Sequence, residues 1–217
     1  MKKIILTAIG IVLLLSTKGF TYDDGDFQLW NTESEEIQLN EDWKLGFEQE
    51  FRWGDNAGEL YYQHYDLGLF YAFNKNWSAG GGYRHVLNKN RGKFLVENEP
   101  NINLTFAGEF AGFKYDTRNR LEYNHFDYKD DTMTYRNKFT VKAPWKFTKL
   151  EIQPYLADEI FVLFDDSQRL NKNRASVGLA MTFTKNLKGE VYYMLQSSKS
   201  QKWTEANVLG TKLKLAF

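Results

Sequence analysis

From residue 42 to residue 217 apolar and polar side chains alternate with a period of two. After residue 20 no apolar run approaches the length that a membrane-spanning helix requires. A period of two belongs to strands, so the chain reads as all-β. The pattern is clearest in DWKLGFEQEFRWGD, where Trp43, Leu45, Phe47, Phe51 and Trp53 share one face and Lys44, Glu48, Glu50 and Arg52 share the other. Leu60 to Phe73 repeats it, with Tyr61, Tyr65, Leu67, Leu69, Tyr71 and Phe73 against His64 and Asp66, and closes in the turn Asn74-Lys75-Asn76. Further segments are expected from Trp77 to Leu87, Glu99 to Ala107, Phe110 to Phe126, Thr134 to Lys142, Lys149 to Leu163, Arg174 to Thr184, Lys188 to Ser197 and Glu205 to Phe217. Most are near the roughly ten residues of a tilted transmembrane strand, and long beside the usual five or six of globular strands.

The turns NKN, AGE and TKNLKG alternate with the polar stretches NKNRGKFLVEN, YKDDTM, FDDSQRLNKN and SSKSQKW, the two-rim asymmetry of an outer-membrane barrel. If both termini lie in the periplasm, Asp26 to Leu39 must supply two short strands. The fold expected is therefore a single antiparallel up-and-down transmembrane β-barrel of about twelve strands, within roughly ten to fourteen. Aromatics make up 17% of residues although the mean hydropathy is -0.56, which suits a polar interior within an aromatic exterior. A soluble barrel or sandwich is the competing fold, because alternation does not say which face points in. Clustering of aromatics toward strand ends, as at lipid headgroups, favours the membrane.

Lys2 and Lys3 followed by the apolar run Ile4 to Leu15 have the form of an export signal. Small residues at Thr17 and Gly19 suggest cutting before Phe20, which divides the chain into a signal peptide, 1–19, and a barrel domain, 20–217. Outer-membrane lipid and the bacterial outer membrane are then the expected partner and location. The last strand, NVLGTKLKLAF, aligns Leu209, Leu213, Leu215 and Phe217 and resembles the terminal signal read by the barrel-assembly machinery. The chain has 28 basic and 28 acidic side chains, so no net field favours nucleic acid. Absence of cysteine excludes disulfides, thiolate metal sites, a Cys nucleophile and a lipoprotein anchor.

Opposite the apolar stripes lie Glu48, Glu50, Asp66, Glu122, Glu159 and Glu190, together with Arg52, Arg84, Arg118, Arg120, Arg136 and Lys212. In a barrel these face the lumen. Arg52, Arg84, Arg118, Arg120 and Arg136 could draw anionic solutes through a channel, or the charges could pair across the bore and close it. Lone buried charges are costly, which favours pairing. Glu48, Glu50, Arg52, Arg84, Arg118, Arg120, Glu122, Arg136 and Glu159 are the candidate lumenal cluster.

An enzyme is expected only distantly. His64 shares a polar face, whereas His85 and His125 are in register with apolar stripes, and no serine occupies a nucleophile elbow, Ser78 included. Asp130 with Asp131, and Asp165 with Asp166, lack the spacing of a Ca²⁺ loop and read as solvated tips. Gly80-Gly81-Gly82 lacks the following helix of a phosphate loop and reads as a bend or close-packing point, and Pro154 as an edge or bulge. No cofactor or metal ligand set is expected.

The motifs DFQLW, WKLGFEQEFRW, GGGYRHV, RNRLEYN and QPYLADEIF resemble the uncharacterised outer-membrane β-barrel family known as domain of unknown function 2490. The resemblance implies a barrel over nearly the whole mature chain, and it implies no substrate and no functional residue.

Overall fold

A computed structural model describes residues 24–164 and 169–217, so the expected signal peptide and the Asp165-Asp166 pair lie outside the described residues. Eleven strands form one closed barrel. They are β1 Asp26–Gln38, β2 Trp43–Gly54, β3 Glu59–Ala72, β4 Trp77–Asn90, β5 Lys93–Phe110, β6 Phe113–Phe126, β7 Thr132–Lys142, β8 Gln153–Phe164, β9 Arg169–Thr182, β10 Leu187–Lys199 and β11 Trp203–Ala216. Each strand pairs with its sequence neighbours antiparallel, as expected of an up-and-down barrel.

Closure is where the structure differs. The segment Asp26 to Leu39 does not supply two short strands. It contains no Gly or Pro to reverse it, and Asp26, Gln28, Trp30 and Thr32 alternate inward along one continuous β1. That strand pairs parallel with β11, from Asp26 opposite Ala206 to Glu36 opposite Ala216. The count is therefore eleven, within the expected ten to fourteen and one short of the central value, and β1 begins at the rim opposite the one where β11 ends. Asp26 also ties the seam to the next hairpin. Its buried carboxylate accepts the backbone N–H groups of Asp55 at 3.3 Å and Asn56 at 3.1 Å, in a turn whose residues Asp55 to Ala57 all have left-handed φ.

Connection lengths do not alternate either. NKNRGKFLVEN is a hairpin, not a loop: β4 and β5 run on to a two-residue turn at Arg91 (φ 48°) and Gly92 (φ 81°). AGE lies within β5, and the turn follows at Ala111 (φ 50°) and Gly112 (φ 82°). Both turns need two consecutive positive φ values, which lets the flanking strands keep their twist. The longest described connection, 143–152, belongs to the rim that carries Phe217. At that rim Asn40 and Asn74 side chains each accept N–H groups two and three residues on, including those of Trp43 and Trp77.

The outward face is apolar over most of its extent, with Leu67, Ile102, Leu156 and Val177 more than half exposed. Toward the Phe217 rim, aromatic rings follow one another from Trp43 and Tyr71 to Trp77, Phe106, Tyr115 and Phe139, with neighbouring centroids 4.8–6.4 Å apart where they touch. Phe51, Trp53 and Tyr65 gather toward the other rim. Inside, a small apolar cluster of Trp30, Met194 and Val208 lies at the seam, with Tyr192 against it. Gly80 sits beneath the inward ring of Phe70, which also lies against Gly46 and Gly68, so the glycine run is a close-packing point. Pro154 occupies the start of β8, while the irregularity in that strand falls at Phe161 and Val162.

Candidate functional site

All nine residues of the expected cluster point into the lumen, because each keeps the parity of its strand's inward face. Their pairing differs from a free arginine ladder, for every one of those guanidinium groups meets a carboxylate. Arg84 bonds Asp66 at 2.8 Å and lies 3.6 Å from Glu99. Arg120 reaches Asp66 at 3.2 Å and donates from Nε to Asn103 Oδ1 at 2.7 Å. Arg118 contacts Glu159 at 2.9 Å, Arg136 contacts Glu122 at 2.6 Å and Glu159 at 2.8 Å, and Arg52 contacts Glu50 at 2.6 Å.

These pairs join into a circuit around the bore. It runs from Glu48 on β2 to Arg84 on β4 (3.9 Å), Glu122 on β6 (3.7 Å), Arg136 on β7 (2.6 Å), Glu159 on β8 (2.8 Å) and Arg174 on β9 (3.5 Å). Arg174 then stacks on the Trp30 ring of β1 at 4.8 Å, and Arg52 covers the same ring at 3.7 Å, which returns the circuit to β2. Arg52 is held between two rings, with Tyr62 at 3.8 Å. Cation–π contacts of this kind replace part of the hydration that a buried guanidinium loses. Glu50 is held by Thr32 at 2.8 Å, and Lys212 bonds Glu48 at 2.8 Å. The space left at the centre is about 110 Å³.

Sequence reasoning had Asp66 and Lys212 on the polar face but outside the cluster, and it missed Arg174, Glu99, Trp30 and Phe161, whose ring lies 4.5 Å from the Arg136 guanidinium and 4.7 Å from that of Arg174. Arg174 was legible, since it lies opposite the Val177 and Leu179 stripe. The inward Trp30 and Phe161 were not, because aromatic rings on a polar face break the very pattern being used. Tyr61 is a further departure: expected on the outer face, it donates its hydroxyl to Gln28 Oε1 at 2.7 Å beside the irregularity at Arg52 and Trp53.

The histidines divide as expected. His64 is 2% exposed, with Tyr62 Oη 3.2 Å from Nδ1 and Glu48 Oε1 3.4 Å from Nε2. It stands beside a hydroxyl and a carboxylate inside the lumen. His85 meets Asn98 on the outer face at 3.0 Å. His125 meets Asp131 at 3.0 Å, and the same carboxylate accepts Tyr123 Oη at 2.6 Å and the Phe126 N–H at 3.0 Å. The His125 hydrogen bond, with those of Tyr123 and Phe126, holds the Asp131 carboxyl down at about 2. Asp131 is thus a loop clasp, its oxygens taken by the chain itself.

The sequence pattern of a family described as "Protein of unknown function (DUF2490)" matches residues 27–207, which is β1 through the first residues of β11. The chain belongs to this family. No curated protein and no solved structure matches it. The DUF2490 match spans the whole ion-pair circuit, from Trp30 to Arg174, and its description names no activity.

Proposed function

We propose that this DUF2490 protein is an outer-membrane β-barrel whose lumen is closed by its own charges, acting as a structural or surface-binding barrel and not as an open pore. The observation that carries the closed reading is the circuit of ion pairs and ring stacks running through β1, β2, β4 and β6 to β9, with about 110 Å³ of free space inside it. A diffusion pore keeps a continuous aqueous path, whereas here carboxylates bridge guanidinium groups on strands up to three apart around the bore, and the remaining cavity is lined from nearly every strand. Glu159 alone engages Arg118, Arg136 and Arg174 from three strands. The membrane part of the proposal is supported by the exposed apolar band, by aromatics gathered toward both rims, and by strands of 11–18 residues, enough to cross the roughly 30 Å hydrocarbon core when tilted. Lys2 and Lys3 followed by the apolar run Ile4 to Leu15 agree with export.

The test is single-channel recording of the refolded barrel in planar bilayers, after its gel mobility has been seen to shift on heating. A folded, silent barrel is the expected result. Steady ohmic steps, shrinking when Arg118 and Arg120 are replaced, would overturn closure and restore the small-solute channel. A chain that folds to the same state without detergent would overturn the membrane assignment.

A further inference from the structure

The lumenal charges are paired, but unevenly. Four carboxylates line the central cavity, Glu48, Glu50, Glu159 and Glu190, against seven arginines and lysines. Asp66, Glu99 and Glu122 answer Arg84, Arg120 and Arg136 from outside the cavity lining. On the β6–β7 ladder, Asp116 and Glu122 are the inward carboxylates at either end of a run of four cations. There Arg118 stands directly opposite Lys138, and Arg120 directly opposite Arg136, two successive like-charge pairs. Directly opposed like charges destabilise a sheet unless something lies between them to accept their hydrogen bonds.

The neighbouring strands do not supply enough. The row Arg118, Lys138, Glu159, Arg174 crosses four strands and contains three cations and one carboxylate. Both Glu159 oxygens are committed, Oε1 to Arg118 and Arg136 and Oε2 to Arg174. Among the described residues no carboxylate lies within ion-pair distance of Lys138 Nζ. Nε of Arg136, a residue 7% exposed, has no acceptor, and Nε2 of His64, 2% exposed, has Glu48 at 3.4 Å but no hydrogen bond. Both residues line the same cavity as Arg118, Lys138 and Lys212. An uncompensated cation in a closed lumen is costly, and the cavity has room for a few water-sized groups.

We propose that the lumenal cavity binds a small inorganic oxyanion, of the phosphate or sulfate class, between Arg118, Lys138 and Lys212, with Arg136 as a further donor. The anion completes the charge balance of the β6–β7 ladder and locks the closed barrel. This rests on the closed reading above, and its source is free anion, since the cavity is walled by strands and admits no lipid headgroup.

The experiment is calorimetric titration of inorganic phosphate into the refolded full-length barrel in a zwitterionic detergent, with urea midpoints measured in phosphate and in chloride at equal ionic strength. Saturable binding and a higher midpoint in phosphate are expected. Lys138→Met should weaken binding at least tenfold and Lys138→Arg should retain it, with heat-shifted gel mobility reporting that each variant is folded. Equal midpoints in the two salts, or wild-type binding by Lys138→Met, would overturn the site. Should Lys138→Met fail to fold, Lys138→Gln and Lys212→Gln carry the same comparison. A silent barrel that ignores phosphate sinks the anion site alone, whereas a conducting barrel that binds phosphate sinks closure and leaves the site standing.

Discussion

Ile102 and Asn103 are neighbours in the middle of β5 and live in opposite worlds: Ile102 is 64% exposed on the outer wall, and Asn103 is 6% exposed among the lumenal charges. Along the same strands, the outer wall exposes what a soluble domain would bury, and the lumen buries what a soluble domain would expose. The difference teaches that burial is satisfied by different physics on the two sides. Inside, cohesion comes from charge-assisted hydrogen bonds, each of which fails if one partner is removed. Outside, an apolar solvent would do for the wall what a hydrophobic core does for a soluble protein. The wall is not uniform, however. Between Leu29 and Ile37, β1 turns Asn31, Glu33 and Glu35 outward, with Glu33 accepting the Gln49 amide at 2.7 Å, and Asp158 meets Asn173 in the same exposed way.

The largest effect expected is on the inside. Glu159→Ala removes the one carboxylate shared by Arg118, Arg136 and Arg174 and should destabilise the barrel by about 3–5 kcal/mol, measured by urea unfolding of the refolded protein. If it costs under about 1 kcal/mol, lumenal pairing is not what holds the bore. Next comes the outside. Ile102→Arg should cost about 2–4 kcal/mol when folding is measured in lipid vesicles, since the residue is at mid-strand and mostly exposed on the outer wall. A neutral result would erase the contrast between the two faces.

Close packing inside gives the third effect. A Cβ at Gly80 would overlap the Phe70 ring and the Leu69 carbonyl, so Gly80→Ala should cost about 1–3 kcal/mol, and pairing it with Phe70→Leu should recover part of the loss in the same unfolding assay. A smaller gain is expected at the polar part of the wall, where Glu33→Leu should stabilise the barrel in vesicles by about 1 kcal/mol, read from its urea midpoint against the wild type, and a loss of stability there would break the reading of that face as lipid-facing. The smallest effect is at the rim. Asp131 has a lowered pKa, so its contribution is present above the ordinary carboxylate range near pH 4 and is lost as pH falls toward about 2. Amide exchange in the 127–131 loop should accelerate over that window while the strands remain protected, and Asp131→Asn should abolish the pH dependence.

The strands from β2 onward were legible because hydrophobic alternation survives turns of any length. The lumenal cluster was legible for the same reason: once a strand's apolar stripe is known, Glu50, Arg84 and Glu122 can only face the other way. Hairpin positions were less so. Two-residue turns at Arg91-Gly92 and Ala111-Gly112 carry little signal beside polar strand ends such as NKN and KFLVEN, and those ends read as loops.

The sequence by itself determined which side chains share a face, and therefore that the charges of this protein would be sorted to one side and its aromatic mass to the other, since a two-residue period is local backbone geometry. Only the tertiary structure decided the rest. Strand number and the parallel meeting of β1 with β11 depend on how a sheet curls back on its own edge, and the sharing of Glu159 by three arginines depends on the register of β6 to β9, which brings together residues up to 56 positions apart, separations that no local pattern encodes.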